Sequence, residues 1–174
     1  MRWSAHLSTL FQDVPAKARP QAAAAAGFAY VETWWPPDPD PVSWAELVNA
    51  AGLRAACVNA DGGDLAAGER GYCAVPERRD DVVVAATAAA RTVTACGGRL
   101  VNLLVGRERD GVETQDALGI AVEAVRAAAD AVAPLGAELV IEHLNPVDVS
   151  GPLLATPAAA DAFVRSVARD NVSV

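Results

Sequence analysis

The nine residues ELVIEHLNP, Glu138–Pro146, decide the fold. Leu139-Val140-Ile141 is a short apolar, β-branched run with acids at both ends, and it reads as a strand buried on both faces. A strand alternates its side chains, so Val140 and Glu142 share one face while Leu139 and Ile141 share the other. If Leu139 and Ile141 meet helices, Glu142 stands at the carboxyl end of the strand on the opposite side. Asn145-Pro146 then turns the chain away.

Outward from that strand, the pattern repeats. β-rich runs occur at Arg2–Leu7, Ala29–Thr33, Leu53–Asn59 and Arg99–Val105, then at Glu138–Glu142, and a last fragment opens at Asn171–Val174. Alanine-rich helical stretches lie between them. Pro20 starts Gln21–Ala26, Ser43 is placed to cap Trp44–Ala51, and Asp80 or Asp81 opens a helix running to about Cys96. Thr114–Val132 carries Ala117, Ala121, Ala124, Ala128 and Ala131 at helical spacing, with Asp116, Glu123, Arg126 and Asp130 opposite. Thr156 caps Pro157–Val167, with proline at the first helical position. Gly27, Gly52, Gly97–Gly98 and Gly136 sit where each helix hands over to a strand, the usual place for a left-handed cap.

Apolar strands alternating with helices predict an α/β fold with a parallel sheet. An open doubly wound sheet and a (β/α)8 TIM barrel both satisfy the pattern. The nucleotide signatures of the open sheet, G-x-G-x-x-G and G-x-x-x-x-G-K-[ST], are absent from the sequence. A whole barrel takes about 250 residues, and this chain has 174. The expectation is therefore a single partial domain over residues 1–174: a C-terminally truncated barrel of about five βα units plus the start of strand six.

Composition narrows the function. The chain is 52% hydrophobic, which excludes disorder, and its net charge of −8 argues against nucleic acid as a partner. Apolar runs are broken by Arg, Asp and Glu well short of a membrane span, and the N-terminus lacks the core of a signal peptide. The expected setting is cytoplasmic. Cys57, Cys73 and Cys96 form no CxxC pattern and read as isolated thiols. With only His6 and His143 present, any metal centre in this chain depends on carboxylates.

The long connection ADGGDLAAGERGYCAVPERR, 60–79, lies on the face of a barrel where substrates bind. Within it Arg70, beside Glu69, suits an anionic ligand through bidentate pairing, or forms a surface ion pair. Asp61-Gly62-Gly63-Asp64 lacks the spacing of a calcium loop and reads as a turn. Glu142 is either a metal-binding or proton-abstracting carboxylate, or a solvated strand-end acid. Glu32, after Ala29-Tyr30-Val31, has the same two readings. His6 closes the first strand and Asn59 the third. Trp34 and Trp35 are pocket walls or core aromatics.

The chain resembles the hydroxypyruvate isomerase group of the xylose-isomerase-like TIM barrels, which includes the 2-oxo-tetronate isomerases. The likeness is carried in order by SAHLSTLFQDVP (4–15), AAAGFAYVETWWP (24–36), AGLRAACVNADGGDLAAGERG (51–71), VIEHLNPVDVSGPLL (140–154) and RDNVSV (169–174). D-x-A-A-G-E-R-G and I-E-x-x-N-P are its specific parts. The resemblance implies an isomerase that moves a proton between adjacent carbons of a small anionic keto acid or sugar-like substrate, through an enediolate at a divalent metal, Mg²⁺ or Mn²⁺. It implies Glu142 as metal ligand and catalytic acid/base. Arg70, Glu69, His6, Asn59, Trp35, Glu32 and Asn145 become the substrate-binding set. His6 stands where the group often has Asn, and His143 where Pro is common. The remaining metal ligands and a second catalytic Glu come from later strands in that group, so the metal site within this chain is expected to be incomplete and residues 1–174 alone inactive. Sugar epimerases and dehydratases of the same superfamily, or a non-catalytic subunit, are the competing readings. A homo-oligomer is compatible with so apolar a chain.

Overall fold

In the computed structural model, which describes residues 3–174, six parallel strands form one sheet in the sequential order β1-β2-β3-β4-β5-β6. They are β1 (Ser4–His6), β2 (Tyr30–Thr33), β3 (Arg54–Asn59), β4 (Leu100–Leu103), β5 (Glu138–Ile141) and β6 (Val172–Ser173). The part of the first expected strand at Arg2 lies outside the described residues. A doubly wound sheet reverses its strand order at a switch point. Here every strand pairs with its chain neighbour, which is the progression of a barrel arc.

Five helices cover one side: α1 (Arg19–Ala25), α2 (Pro41–Ala50), α3 (Arg79–Ala95), α4 (Thr114–Val132) and α5 (Pro157–Val167). The α4 and α5 limits coincide with those read from the sequence. Ala117, Ala121, Ala124 and Ala128 of α4 are buried together with Ala85, Ala86, Ala89 and Ala90 of α3, so small side chains let these neighbouring helices approach. Arg126 on the outer side of α4 donates to the carbonyls of Ser166 and Val167 at 2.6 and 3.0 Å. It thereby satisfies carbonyls that the end of α5 leaves unpaired.

Helix α2 starts three residues before the expected point. Asp40, not Ser43, is its cap, accepting from the backbone N–H of Val42 and Ser43 at 3.1 and 3.0 Å. Pro41, fixed near helical φ, then occupies the first turn, where its missing N–H costs nothing. Gly27, Gly52, Gly97 and Gly136 all adopt positive φ at the helix-to-strand handovers.

One irregularity controls the face that bears chemistry. Between β2 and β3 the register passes from Val31↔Ala55 to Glu32↔Cys57, so Ala56 is an extra residue. Strict alternation from the buried Leu53 and Ala55 would turn Cys57 and Asn59 toward the helices. The bulge shifts the phase by one: Val58 is buried under the helices, while Cys57 and Asn59 are only half-buried on the concave side.

Candidate active site

The concave face of the arc holds a cleft of about 500 Å³. It is lined by His6 from β1, Glu32 and Trp34 from the end of β2, Cys57 and Asn59 from β3, Asn102 from β4, and Val140, Glu142 and His143 around the end of β5. The registers His6↔Glu32↔Cys57 and Asn59↔Asn102↔Val140 set two rungs across it. Polar side chains on strands whose other face is buried and apolar thus converge because each stands in the same phase of its own strand.

Glu142 stands two residues beyond Val140, at the open end of the second rung. Its Oε2 accepts from Asn102 Nδ2 at 2.6 Å, and Oε1 takes no hydrogen bond among the described residues. The residue is exposed at the mouth of the cleft, so one carboxylate oxygen is held and the other faces the opening. Asn102 Nδ2 also lies 3.4 Å from Asn59 Oδ1. On the first rung, Glu32 Oε1 accepts from Ser4 Oγ at 2.8 Å. His6 meets the Trp34 ring edge-on, with centroids 5.2 Å apart.

Two buried polar atoms on this wall have no partner among the described residues: His6 Nδ1 and Asn102 Oδ1. Buried polar groups are nearly always satisfied, so both mark places where a ligand's polar atom or a water fits. Burial holds the His6 imidazole below its usual pKa, with Glu32 pulling the other way. Burial, backed by the nearby Glu32 and Glu142 carboxylates, pushes the Cys57 thiol up to about 11 and keeps it protonated.

The residues inferred from sequence separate into two groups. His6, Glu32, Asn59 and Glu142 meet in the cleft. Trp35, Glu69, Arg70 and Asn145 do not line it. Trp34 points into the cleft while Trp35 packs partly buried against the core, as alternation requires of neighbours. Arg70 donates to the carbonyls of Leu65 and Glu69 at 2.9 and 2.6 Å, folding back onto its own loop. Glu69 pairs with Arg78 at 3.1 Å. Both belong to a separate polar pocket on the rim, with Arg107 and Arg109. Asn145 organises its own turn, accepting from Val147 N–H at 2.9 Å and donating to Asp148 at 2.9 Å. Asp61 forms the expected turn by accepting from Gly63 N–H at 2.9 Å.

Asn102 and Cys57 were not among the inferred site residues. An amide in the middle of Leu100-Val101-Asn102-Leu103 is a signal that sequence offers, because burial of Asn on an apolar strand demands a partner. Cys57 had no such signal, since its orientation follows from the bulge.

The long connection is tied to the rim of the sheet. Gly71 packs against the end of β4 so closely that a Cβ would stand 1.9 Å from the Leu104 carbonyl oxygen, and its φ is +92°. Cys73 N–H donates to the Val105 carbonyl at 3.0 Å. Arg107 links three loops, donating to Gly68 O at 3.0 Å and Ser150 O at 2.6 Å.

The oxygen donors around Glu142 have the hard character that Mg²⁺ or Mn²⁺ prefers. Among the described residues, no three His, Cys, Asp or Glu side chains converge as a metal site. The fit is to one side of a cation site, with Glu142 as the charged donor. Also among the described residues, no helix is long and apolar enough to cross a membrane.

The profile of the xylose isomerase-like TIM barrel family matches residues 20–174. A putative hydroxypyruvate isomerase of Streptomyces coelicolor is 35% identical, over 91% of this chain and 60% of its own length. A hydroxypyruvate isomerase of Escherichia coli is 34% identical, over 87% and 58%. A 2-oxo-tetronate isomerase of Haemophilus influenzae is 31% identical, over 99% and 67%. The chain therefore spans about three-fifths to two-thirds of these curated relatives. A crystal structure described as an AP endonuclease, family 2, from Brucella melitensis superposes with a TM-score of 0.90 at 32% identity, covering 98% of this chain and 66% of that one. D-psicose 3-epimerase from Clostridium cellulolyticum H10 shares the fold, with a TM-score of 0.74 at 16% identity over 99% and 62%.

Proposed function

The chain belongs to the hydroxypyruvate isomerase group of the xylose isomerase-like TIM barrel family, and on that premise we propose that it carries the proton-transferring wall of an isomerase for small hydroxy-keto acids. Hydroxypyruvate and tartronate semialdehyde are the proposed pair, with 2-oxo-tetronate as the alternative substrate. The observation that supports this reading best is the state of Glu142: one carboxylate oxygen held by Asn102, the other unengaged at the cleft mouth.

Glu142 takes the proton from the carbon that bears the substrate hydroxyl. The C–H electron pair forms a double bond to the carbonyl carbon, whose oxygen gains the negative charge. Passage of the hydroxyl proton to that oxygen, and return of the abstracted proton to the neighbouring carbon, complete the isomerisation with no net redox change. Held at Oε2, the carboxylate loses little orientational freedom when it reacts. His6 and Asn59 present polar atoms to the substrate oxygens, and Glu32 accepts from a hydroxyl. Trp34 supplies an apolar wall. Glu142 is also the proposed ligand of this chain for Mg²⁺ or Mn²⁺, which when bound supplies Lewis-acid stabilisation of the oxyanion.

A DNA-repair role is disfavoured by the net charge of −8 and by the presence of only two histidines. The test is an assay of the full-length protein with Mg²⁺ or Mn²⁺ on hydroxypyruvate, 2-oxo-tetronate and a panel of ketoses. Interconversion of either keto acid supports the reading. Epimerisation of a ketose with both keto acids untouched replaces it, and no turnover at all favours a non-catalytic subunit.

A further inference from the structure

We infer that Asn102 is a positioning residue that selects which oxygen of Glu142 is free to react. The inference rests on Glu142 being the proton-transferring group, but the contact it describes belongs to the fold and is measurable by itself. Asn102 Nδ2 donates to Glu142 Oε2 at 2.6 Å, a short contact of the kind a charged acceptor favours. The second Nδ2 hydrogen points toward Asn59 Oδ1 at 3.4 Å. These two contacts on one nitrogen fix which end of the amide faces Glu142, because only Nδ2 can donate to a carboxylate.

The arrangement depends on backbone geometry at two removes. Asn59 and Asn102 are register partners between β3 and β4, and Asn102 is in turn the partner of Val140, two residues before Glu142. Asn59 stands on this face only because the bulge at Ala56 inverts the phase of β3. A chain of three side chains, Asn59–Asn102–Glu142, therefore runs across the sheet and up to the cleft mouth. It leaves Asn102 Oδ1 buried in the cleft wall with no partner among the described residues. That oxygen is an acceptor for a substrate hydroxyl beside the unengaged Glu142 Oε1.

The test uses the side-chain amide resonances of the chain labelled with ¹⁵N-asparagine, which holds five asparagines. Asn49 and Asn171 serve as internal references, since their amides donate to Ala95 O and Ala129 O on the helical side. In the unsubstituted chain, the two Asn102 amide protons are expected to be widely separated and slow to exchange with water. Glu142→Gln and Glu142→Ala should each shift the Asn102 pair and speed its exchange about tenfold or more, leaving Asn49 and Asn171 in place. Asn59→Ala should shift it less. An Asn102 pair that responds to neither Glu142 variant overturns the inference, whatever the activity of the protein.

In the full-length protein, Asn102→Asp keeps the shape but loses the donor. It should lower kcat at least tenfold with KM changed less than threefold, whereas a packing role predicts near-normal kcat. Unchanged turnover in Glu142→Gln would refute the proposed function while leaving the amide measurement standing.

Discussion

On the side of the sheet that meets the helices, Val31, Val58, Val101, Leu139 and Ile141 are each at most 1% exposed. On the other side the same strands present His6, Glu32, Cys57, Asn59, Asn102 and Glu142 to a cleft. A single backbone carries both sets, one residue out of phase. The helical side contributes stability: complete burial of each large aliphatic side chain contributes about 1.5–3 kcal/mol. The cleft side contributes polar atoms that the fold leaves partly unsatisfied, His6 Nδ1 and Asn102 Oδ1 among them. Proteins tolerate such atoms where a ligand completes them. The division teaches that neighbouring positions on one strand answer to different demands.

Adjacent residues of β5 offer the sharpest way to break the comparison. Ile141→Ala should cost about 2–5 kcal/mol of folding stability, as large-to-small changes in a packed core do. Val140→Ala, on the half-buried cleft face, should cost less than half as much. Chemical denaturation of both variants checks this, and equal losses would mean that the two faces are not distinct.

The rim should respond next. Gly71→Ala places a Cβ against backbone at a left-handed φ. A loss of about 1–3 kcal/mol is expected from the forced shift, with faster proteolysis of the 60–78 connection. Undiminished stability would show that the connection is not anchored at β4.

The smallest effect is a pH dependence. Burial depresses the His6 pKa from its usual 6.5 in the folded chain, so the unfolded chain binds a proton more readily. Its contribution to stability is full above pH 6.5 and is lost as the pH falls through the lowered folded value. His6→Asn should flatten the stability curve between about pH 7 and 5. Parallel curves for the two proteins would remove His6 from the account.

Much of the framework was legible in the residues. The spacing of Ala117, Ala121, Ala124 and Ala128 and the Thr156-Pro157 start placed α4 and α5, since cap chemistry and helical period are local. The site was legible where alternation held, at Glu142 and Glu32. It failed at Cys57, because the extra residue at Ala56 in a parallel pair leaves no local mark. Long-range pairing also hid Asn102, whose partners Asn59 and Glu142 are 43 and 40 residues away. Asp40 displaced Ser43 as the α2 cap because Pro41 can occupy the first helical turn ahead of it. Arg70 was inferred near substrate from its charge, but the path of its loop turned the guanidinium onto backbone carbonyls.

The central claim is that the Glu142 carboxylate moves the substrate proton, and hydron exchange in D₂O tests it most directly. The full-length protein and its Glu142→Gln variant, matched for folding by circular dichroism, are incubated with hydroxypyruvate and Mg²⁺, and the loss of the hydroxymethyl protons is followed by NMR. The unsubstituted protein should wash deuterium into that carbon, with the variant slower by about 10²–10⁴-fold, the usual worth of a positioned acid/base. Exchange at the same rate in both proteins would contradict the account.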